Sequence, residues 1–239
     1  MSDWAAKRFW KTTTTKQTDT GFTVLLDDRS IKTPAKTALN LPTQALADAV
    51  AEEWDAQIEK VDPNTMPMTR SANAALDKVA HQRAAVADML AEYGGTDLLC
   101  YRANSPAELV QMQATKWDPI LGWAEQTFGV KMILGEGVMF VEQPAESLSI
   151  LTERVHQFDP FELTGFHDLV AISGSLILGF AVTEGHLSAQ EAWELSRVDE
   201  EWQIAQWGAD DEAESMAKVK NIAYLDAYRF MKLAMPSTI

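Results

Sequence analysis

The sequence predicts an α+β protein in which a small antiparallel sheet with helices forms an N-terminal domain and an all-helical, orthogonal-bundle-like domain follows. Two strand-like runs on either side of Asp27-Asp28-Arg29 predict the sheet. Apolar residues then recur at helical spacing, first after Thr43 and mostly throughout the chain beyond Gly95. We place the boundary near residue 85, which divides the chain into domains of residues 1–85 and 86–239.

The elements of the first domain are each bounded by a turn, a cap or a helix breaker. In order, they are a strand at residues 8–13, a hairpin of residues 22–26 and 30–33 that Pro34 ends, a helix after Thr43, and a second helix that ends at Gly94-Gly95. Thr43 is suited to be the N-cap of the first helix, and Asp62-Pro63 stops that helix.

The elements of the second domain follow from caps and helical spacing. In order, they are a helix from a capping box at residues 105–108 to Gly129 with a break at Asp118-Pro119, an extended stretch at 130–141, and helices at 145–158, 166–183, 193–207 and from Asp210 onward. A second capping box at residues 188–191 starts the helix that contains residues 193–207. The last helix is expected to bury a stripe formed by Met216, Val219, Ala223, Ala227, Phe230 and Leu233.

The charge of the chain excludes some classes of partner. It carries 35 acidic and 20 basic residues, a formal net charge of −15. Such a surface is a poor match for nucleic acid, whose phosphates require basic groups, and it would be repelled by an anionic membrane. The longest apolar run, residues 169–182, is shorter than the roughly 20 residues of a membrane-spanning helix, so we expect a core helix there.

The residues that usually bind metals or form disulfides are few. Cys100 is the only cysteine, which excludes an intrachain disulfide framework and a thiolate metal cluster. The four histidines are scattered and form no pair at helical ligand spacing. We therefore expect neither a metal site nor a cofactor.

The most informative segment is residues 193–207, where one carboxylate lies among tryptophans. At about 100° per residue, Trp193, Arg197, Glu200 and Trp207 share one helical face and Trp202 lies on the opposite one. A helix that is apolar on two faces must be covered on both, by its own domain or by a partner. Glu200 either forms an ion pair with Arg197 or is a half-buried carboxylate that receives a partner's backbone or arginine.

Catalytic motifs are mostly absent. The segment Gly135-Glu136-Gly137 lacks the third glycine of a dinucleotide-binding loop, and Ala171 interrupts the nucleophile-elbow pattern around Ser173. One enzymatic alternative stays open, a hydrolase or lyase that uses Glu200 as a general base in a tryptophan-lined pocket. A structural alternative is that both faces of this helix are core and that a partner binds elsewhere, for example at the N-terminal hairpin.

Seven segments occur in the same order as in a known family. They are RFWK (8–11), GFTVLLDDRSIKTP (21–34), LPTQALADAVAEEWDAQ (41–57), YGGTDLLCYRA (93–103), WDPILGWA (117–124), ISGSLILGFAV (172–182) and SRVDEEWQIAQWG (196–208). Together they resemble the assembly chaperones of the F-type ATP synthase that act on the alpha subunit of its catalytic sector. The resemblance extends from Arg8 to about Phe230, which is nearly the whole chain.

The resemblance implies an ATP-independent chaperone rather than an enzyme. Such a protein holds the unassembled alpha subunit, masks its apolar interface and releases it to the beta subunit. The family's critical glutamate lies in an E-x-[WF]-Q motif, which matches Glu200-Glu201-Trp202-Gln203, although Val198 and Asp199 stand where Leu and Glu are common. The partner-binding residues expected from the motif and its helix are Glu200, Arg197, Gln203, Trp202, Trp207 and Trp193.

The resemblance also carries expectations about location and assembly state. Eukaryotic members of the family belong to the mitochondrial matrix, whereas the first residues of this chain, MSDWAAKRFWK, do not form a presequence. We therefore expect a bacterial cytoplasmic protein or a processed form. We also expect a monomer when the protein is free.

Overall fold

The computed structural model describes residues 7–137 and 139–236, so the first six residues, on which the presequence argument partly rests, lie outside the described part. The strands are β1 (Thr13–Thr18), β2 (Gly21–Leu26), β3 (Arg29–Ser30), β4 (Tyr101–Arg102) and β5 (Gly135–Glu136). The helices are α1 (Gln44–Asp55), α2 (Pro67–Ala74), α3 (Ala80–Ala91), α4 (Ala107–Phe128), α5 (Ala145–Val155), α6 (Pro160–Ser173), α7 (Leu176–Thr183), α8 (Ala189–Ser196), α9 (Val198–Trp207) and α10 (Asp211–Ala234). The predicted α+β class is confirmed.

The chain forms two compact units. Among the described residues, the first contains residues 7–83, 159–165 and 229–236. The second contains residues 84–158 and 166–228. The first unit is therefore built from three separate segments of the chain. The division into domains 1–85 and 86–239 stays a prediction, because compactness alone does not show what folds independently.

The sheet of the first unit has the antiparallel order β1-β2-β3. The predicted hairpin corresponds to β2 and β3, in which Leu26 pairs with Arg29, but its second strand is Arg29–Ser30 instead of residues 30–33. The strand predicted at residues 8–13 is wrong, because β1 begins only at Thr13. The backbone amides of Lys11 and Thr12 donate to Asp27 Oδ1, each at 3.0 Å, so they cap the hairpin turn instead of entering a strand ladder.

The core of the first unit lies between this sheet and α1. Thr43 caps α1 as predicted, since its hydroxyl accepts a hydrogen bond from the Leu46 amide at 3.1 Å. Phe230, near the end of α10, is fully buried in the same core and stacks on Phe161 with ring centroids 6.2 Å apart. The buried apolar residues include Trp10, Val24, Leu26, Leu39, Leu41, Leu46, Val50, Met68 and Ala72.

Helix α4 of the second unit corrects two predictions. It runs through Pro119 without ending, so the expected break is wrong. Packing and polar contacts hold the helix there, because the fully buried Trp117 donates its Nε1–H to the Leu195 carbonyl at 2.9 Å. The capping box at residues 105–108 is also wrong, since Pro106 is the N-cap and no side chain bonds to the helix. Gly129 ends α4 with a φ of +73°, as predicted.

Two long predicted helices are each broken in two. The segment expected as one helix at 166–183 is interrupted at Gly174, where φ is +71° and α6 gives way to α7. The segment expected to run to Trp207 is interrupted at Arg197, which lies outside helical geometry at φ −111° and ψ 16°. Rotation about a single axis therefore does not relate Trp193 to Glu200. No helix within residues 7–137 and 139–236 is long and apolar enough to cross a membrane.

Candidate functional site

The candidate site begins at the junction between α8 and α9. The predicted capping box starts α8, since the Glu191 amide donates to Ser188 Oγ at 3.2 Å and the Ser188 amide donates to Glu191 Oε2 at 2.8 Å. The Ser188 hydroxyl also donates to Glu191 Oε2 at 2.6 Å, and this bond, together with the one from the Ser188 amide, favours the carboxylate form and lowers the pKa of Glu191. The local sequence thus determines where α8 starts. Trp193, which lies on this helix, is buried.

Arg197 occupies the kink between the two helices and leaves Glu200 without an ion pair. Its Nε donates to Glu201 Oε1 at 3.3 Å, and its guanidinium lies over the Trp193 ring, 5.3 Å from the centroid. The expected pair between Arg197 and Glu200 is therefore not formed. Glu200 is exposed, so the expectation of a half-buried carboxylate is wrong, and no hydrogen bond or ion pair to its side chain is found within the described residues.

Glu200 lines a cavity of about 380 Å³ in the second unit. Trp193, Arg197 and Gln203 line the same cavity, so four of the six predicted site residues are brought together. Trp202 and Trp207 do not line it. The second helix wall comes from α10, which contributes Lys220.

The opposite wall of the cavity is the break between α6 and α7. Ser173, Gly174 and Leu98 line it, and the Leu98 amide donates to the Gly174 carbonyl at 3.1 Å. A continuous helix would not turn at this point, so the break that the sequence did not reveal shapes the cavity.

Asp97 holds this break together. One carboxylate oxygen accepts from Ser175 Oγ at 2.8 Å and from the Leu99 amide at 3.0 Å, and the other accepts from the Ile177 amide at 2.9 Å. The side chain is fully buried, and this desolvation raises its pKa to about 6 although the hydrogen bonds oppose the shift. Sequence reasoning missed Asp97, whose only local signal is an acidic residue that could cap a short helical turn at Leu98–Cys100.

Charged groups of both signs lie around Glu200, and some of them form hydrogen bonds or ion pairs within the fold. Asp199 is half-buried and accepts a hydrogen bond from Gln113 Nε2 at 2.6 Å. Lys220 and Arg197 supply two positive groups to the same cavity. Lys220 was not predicted either, because nothing local in α10 distinguishes it from the other lysines of that helix.

An exposed apolar surface continues along α9 and α10. Trp207 is 75% exposed, and its ring packs edge-on against the half-buried Trp202 with centroids 5.7 Å apart. Met216, Val219 and Ile222 on α10 are also more than half exposed. Residues three apart on a helix are neighbours, so Val219 adjoins Met216 on one side and Ile222 on the other.

The buried stripe predicted for the last helix is therefore wrong in its first half. Ala227 and Phe230 are buried as expected and Leu233 is half-buried. Met216, Val219 and Ala223 are exposed. Helical spacing indicates that a face will be covered without indicating whether the chain itself or a partner covers it. Exposed apolar residues of this size at successive helical positions are typical of a protein-binding surface.

The arrangement favours binding over general-base chemistry. Glu200 lies at an exposed position, whereas the enzymatic alternative requires a pocket that excludes water from the reacting group. The feature that stands out is an unpaired carboxylate on the same short helix as an exposed tryptophan.

Comparison with known proteins identifies relatives over nearly the whole chain. Residues 7–125 match the family model described as ATP12 chaperone protein. The crystal structure of Atp12 from Paracoccus denitrificans is 49% identical, with a TM-score of 0.94 over 96% of this chain and 99% of that chain. The Atu1473 protein from Agrobacterium tumefaciens is 39% identical, with a TM-score of 0.90 over 95% of this chain and 85% of that one. The mitochondrial protein atp12 of Schizosaccharomyces pombe is 25% identical over 87% of this chain and 75% of its own length.

Proposed function

The chain belongs to the ATP12 chaperone family, and from that premise we propose that it binds the unassembled alpha subunit of F-type ATP synthase and needs no ATP to do so. It masks the apolar interface of that subunit and releases it to the beta subunit during assembly. The family supports the chaperone role, and the seven resembling segments support the identity of the client.

The observation that carries this proposal is the exposed Glu200, which lies beside the cavity and on the same helix as the exposed Trp207. A subunit that awaits assembly presents apolar surface and unpaired strand edges that aggregate. A chaperone for it needs apolar side chains to cover the surface and a polar group to pair with the backbone or an arginine. Helices α9 and α10 present both.

The predicted residues take different roles in this proposal. Glu200 is the polar anchor, which accepts charge-assisted hydrogen bonds from the client. Arg197 and Gln203 line the cavity beside it. The guanidinium of Arg197 stacks on the ring of the buried Trp193, which positions it. Trp207, with the apolar residues of α10, covers the client's apolar surface, while Trp202 holds the Trp207 ring in place.

The mixed character of this surface suits a temporary complex. Interfaces that must be released are more polar than permanent ones, which resemble a divided hydrophobic core. The acidic residues of the chain also limit association with other acidic proteins, including further copies of itself. We therefore propose that the free protein is a monomer. Because the two related structures are bacterial, we propose a bacterial cytoplasmic location.

The proposal is tested with the isolated alpha subunit. The native protein should suppress aggregation of this subunit near one-to-one stoichiometry in the absence of nucleotide. Glu200→Lys should weaken binding by about tenfold or more, since it replaces an acceptor with a donor of the opposite charge. Light scattering measures the protection, and titration of the labelled subunit measures the affinity.

A matched control makes the same change in charge elsewhere. Glu125 is exposed near the C-terminal end of α4, where the helix dipole favours a positive charge, so Glu125→Lys should fold normally and protect the client fully. A folded Glu200→Lys protein that protects as well as the native one would remove Glu200 from the client site.

A further inference from the structure

The segment between α4 and α5 presents a second group of exposed apolar side chains. Met139 is 73% exposed and Phe140 is 69% exposed, and Ile133 and Leu134 are nearly half exposed. We call residues 131–137 and 139–143 the apolar loop. It lies within the second unit and contributes none of the residues that line the Glu200 cavity.

Two buried side chains hold the base of the apolar loop. Gln143 accepts from the Ile133 amide through Oε1 and donates to the Ile133 carbonyl through Nε2, both at 2.8 Å. Ser147 on α5 does the same for Lys131, since its hydroxyl accepts from the Lys131 amide and donates to the Lys131 carbonyl, both at 3.0 Å. Both Gln143 and Ser147 are buried. Each of Lys131 and Ile133 thus has both its backbone amide and its backbone carbonyl hydrogen-bonded to a buried side chain.

The two sides of the apolar loop, before and after its tip, are also held in place. Strand β5 pairs in parallel with β4, and the Gly137 amide donates to the Arg102 carbonyl at 2.8 Å. The returning chain packs against Gly135 so closely that a Cβ there would lie 2.7 Å from Val141 Cγ2. Leu134 and Met139 are thereby held on neighbouring stretches of backbone.

The anchoring of the loop favours a binding role for its exposed side chains. A fixed loop loses little conformational entropy when it binds, so its apolar side chains contribute most of their burial energy to affinity. Phenylalanine and methionine are enriched in protein interfaces, where they fill apolar pockets of the partner. Without a partner, these exposed apolar side chains add no burial energy to the stability of the protein.

The charges that surround the apolar loop decide between kinds of partner. Glu136 and Glu142 lie in the loop, and Glu146 is exposed at the start of α5, against the single Lys131. Loops that enter anionic membranes carry basic residues beside their apolar side chains, because the lipid headgroups repel acidic ones. A second copy of this acidic chain is disfavoured for the same reason. The partner that complements the apolar loop is therefore a protein surface with an apolar concavity and a basic rim.

We propose that the apolar loop is a second docking surface, which places Met139 and Phe140 in an apolar concavity on the same client that Glu200 contacts. This inference rests on the proposed function for the identity of the client. The loop adds contact area at a site separate from the cavity, so a client held there is held at two surfaces of one unit.

The test replaces both exposed tip residues in the full-length protein. Met139→Ser with Phe140→Ser should leave the fold intact, since both side chains are exposed, and should weaken binding of the isolated alpha subunit by about tenfold or more. The control is Ile58→Ser, which removes an apolar side chain that is 84% exposed in the first unit and should change the affinity less than about twofold.

The outcomes separate this inference from the proposed function. Native-like affinity of the loop variant for the alpha subunit, with binding by the native protein established, overturns this inference alone. Failure of the native protein to bind the alpha subunit overturns both. Two further outcomes assign the loop to another partner, each with client affinity unchanged in the loop variant. If the native protein sediments with phosphatidylglycerol vesicles and the variant does not, the loop binds a membrane. If the native protein dimerises and the variant does not, the loop binds a second copy.

Discussion

Asp97 shows how one residue shapes a site that it does not itself line. Its carboxylate accepts from Ser175 and Ile177 and so fixes the start of α7 next to the cavity wall. The side chain is fully buried, and burial raises its pKa from the usual 3.8 to about 6. A buried carboxylate is tolerated here because several donors surround it, which compensates in part for the loss of hydration.

The raised pKa of Asp97 predicts a pH dependence of stability. The folded protein binds the Asp97 proton more tightly than the unfolded chain, so this group's contribution to the free energy of unfolding is full below about pH 4 and is lost as the pH rises through about 6. Asp97→Asn removes that contribution and turns an N–H group toward the Ile177 amide. The variant should be less stable, and its deficit should be larger at pH 4 than at pH 7 by about 2 kcal/mol.

Urea unfolding of both proteins between about pH 4 and pH 7 measures this difference. The readout is the gap between native protein and variant, because the other carboxylates contribute equally to both. A gap that stays constant over this range would mean that Asp97 titrates alike in the folded and unfolded chain.

Among the predicted site residues, the resemblance selected Glu200 and the structure determined its surroundings. The motif identified the residue type and position, but pairing with Arg197 was equally compatible with the spacing. Arg197 instead contacts Glu201, one turn further along α9. Glu200 and Glu201 both lie at helical spacing from Arg197, so the spacing alone did not decide which of them is left without an ion pair.

At the scale of elements, helix starts and ends were easier to predict than interruptions. Thr43, the Ser188–Glu191 capping box and Gly129 act through hydrogen bonds or backbone geometry within about four residues, and all three are confirmed. The interruptions at Gly174 and Arg197 lie in segments whose apolar spacing is compatible with one continuous helix. Contacts from Asp97 to Ser175, 78 residues away in sequence, hold the first of them.

The interruption at Gly174 predicts opposite effects for two glycine substitutions. Gly174 has a φ of +71°, which an alanine adopts only with strain, so Gly174→Ala should destabilise the protein by about 1–2 kcal/mol. Gly122 lies inside α4, and a Cβ added there would meet no atom of a neighbouring element within 4 Å, so Gly122→Ala should stabilise by about 1 kcal/mol.

Urea unfolding at neutral pH measures both changes. The two substitutions add the same methyl group, so a difference in sign isolates the backbone conformation as the cause. If Gly174→Ala were as stable as the native protein, α6 and α7 would be able to join without a left-handed residue between them.

At the scale of the whole molecule, the chain returns twice to its first unit. Phe230 comes from the last helix and is fully buried in the core that α1 and β2 form. A fragment that ends near residue 85 would lack this side chain and also Phe161. The stability of the first unit therefore depends on residues from the far end of the chain.

Phe230→Ala should destabilise the first unit by about 3–5 kcal/mol, because it removes a large buried side chain and leaves a cavity. Hydrogen exchange should show amide protection lost in Gln44–Asp55 of α1 before Leu176–Thr183 of α7. Protection lost to the same extent in both helices would indicate a single cooperative unit and contradict the predicted division into two domains.

The amino-acid sequence by itself determined the α+β class, the hairpin, most helix caps and, through seven resembling segments, the family. These features depend on neighbouring residues or on the order of motifs, both of which a single chain displays directly. Only the tertiary structure decided that Asp97 is buried, that Lys220 faces the Glu200 cavity and that Met216 and Val219 remain uncovered. The physical reason is that burial depends on what packs opposite a residue, and those partners lie far away in sequence.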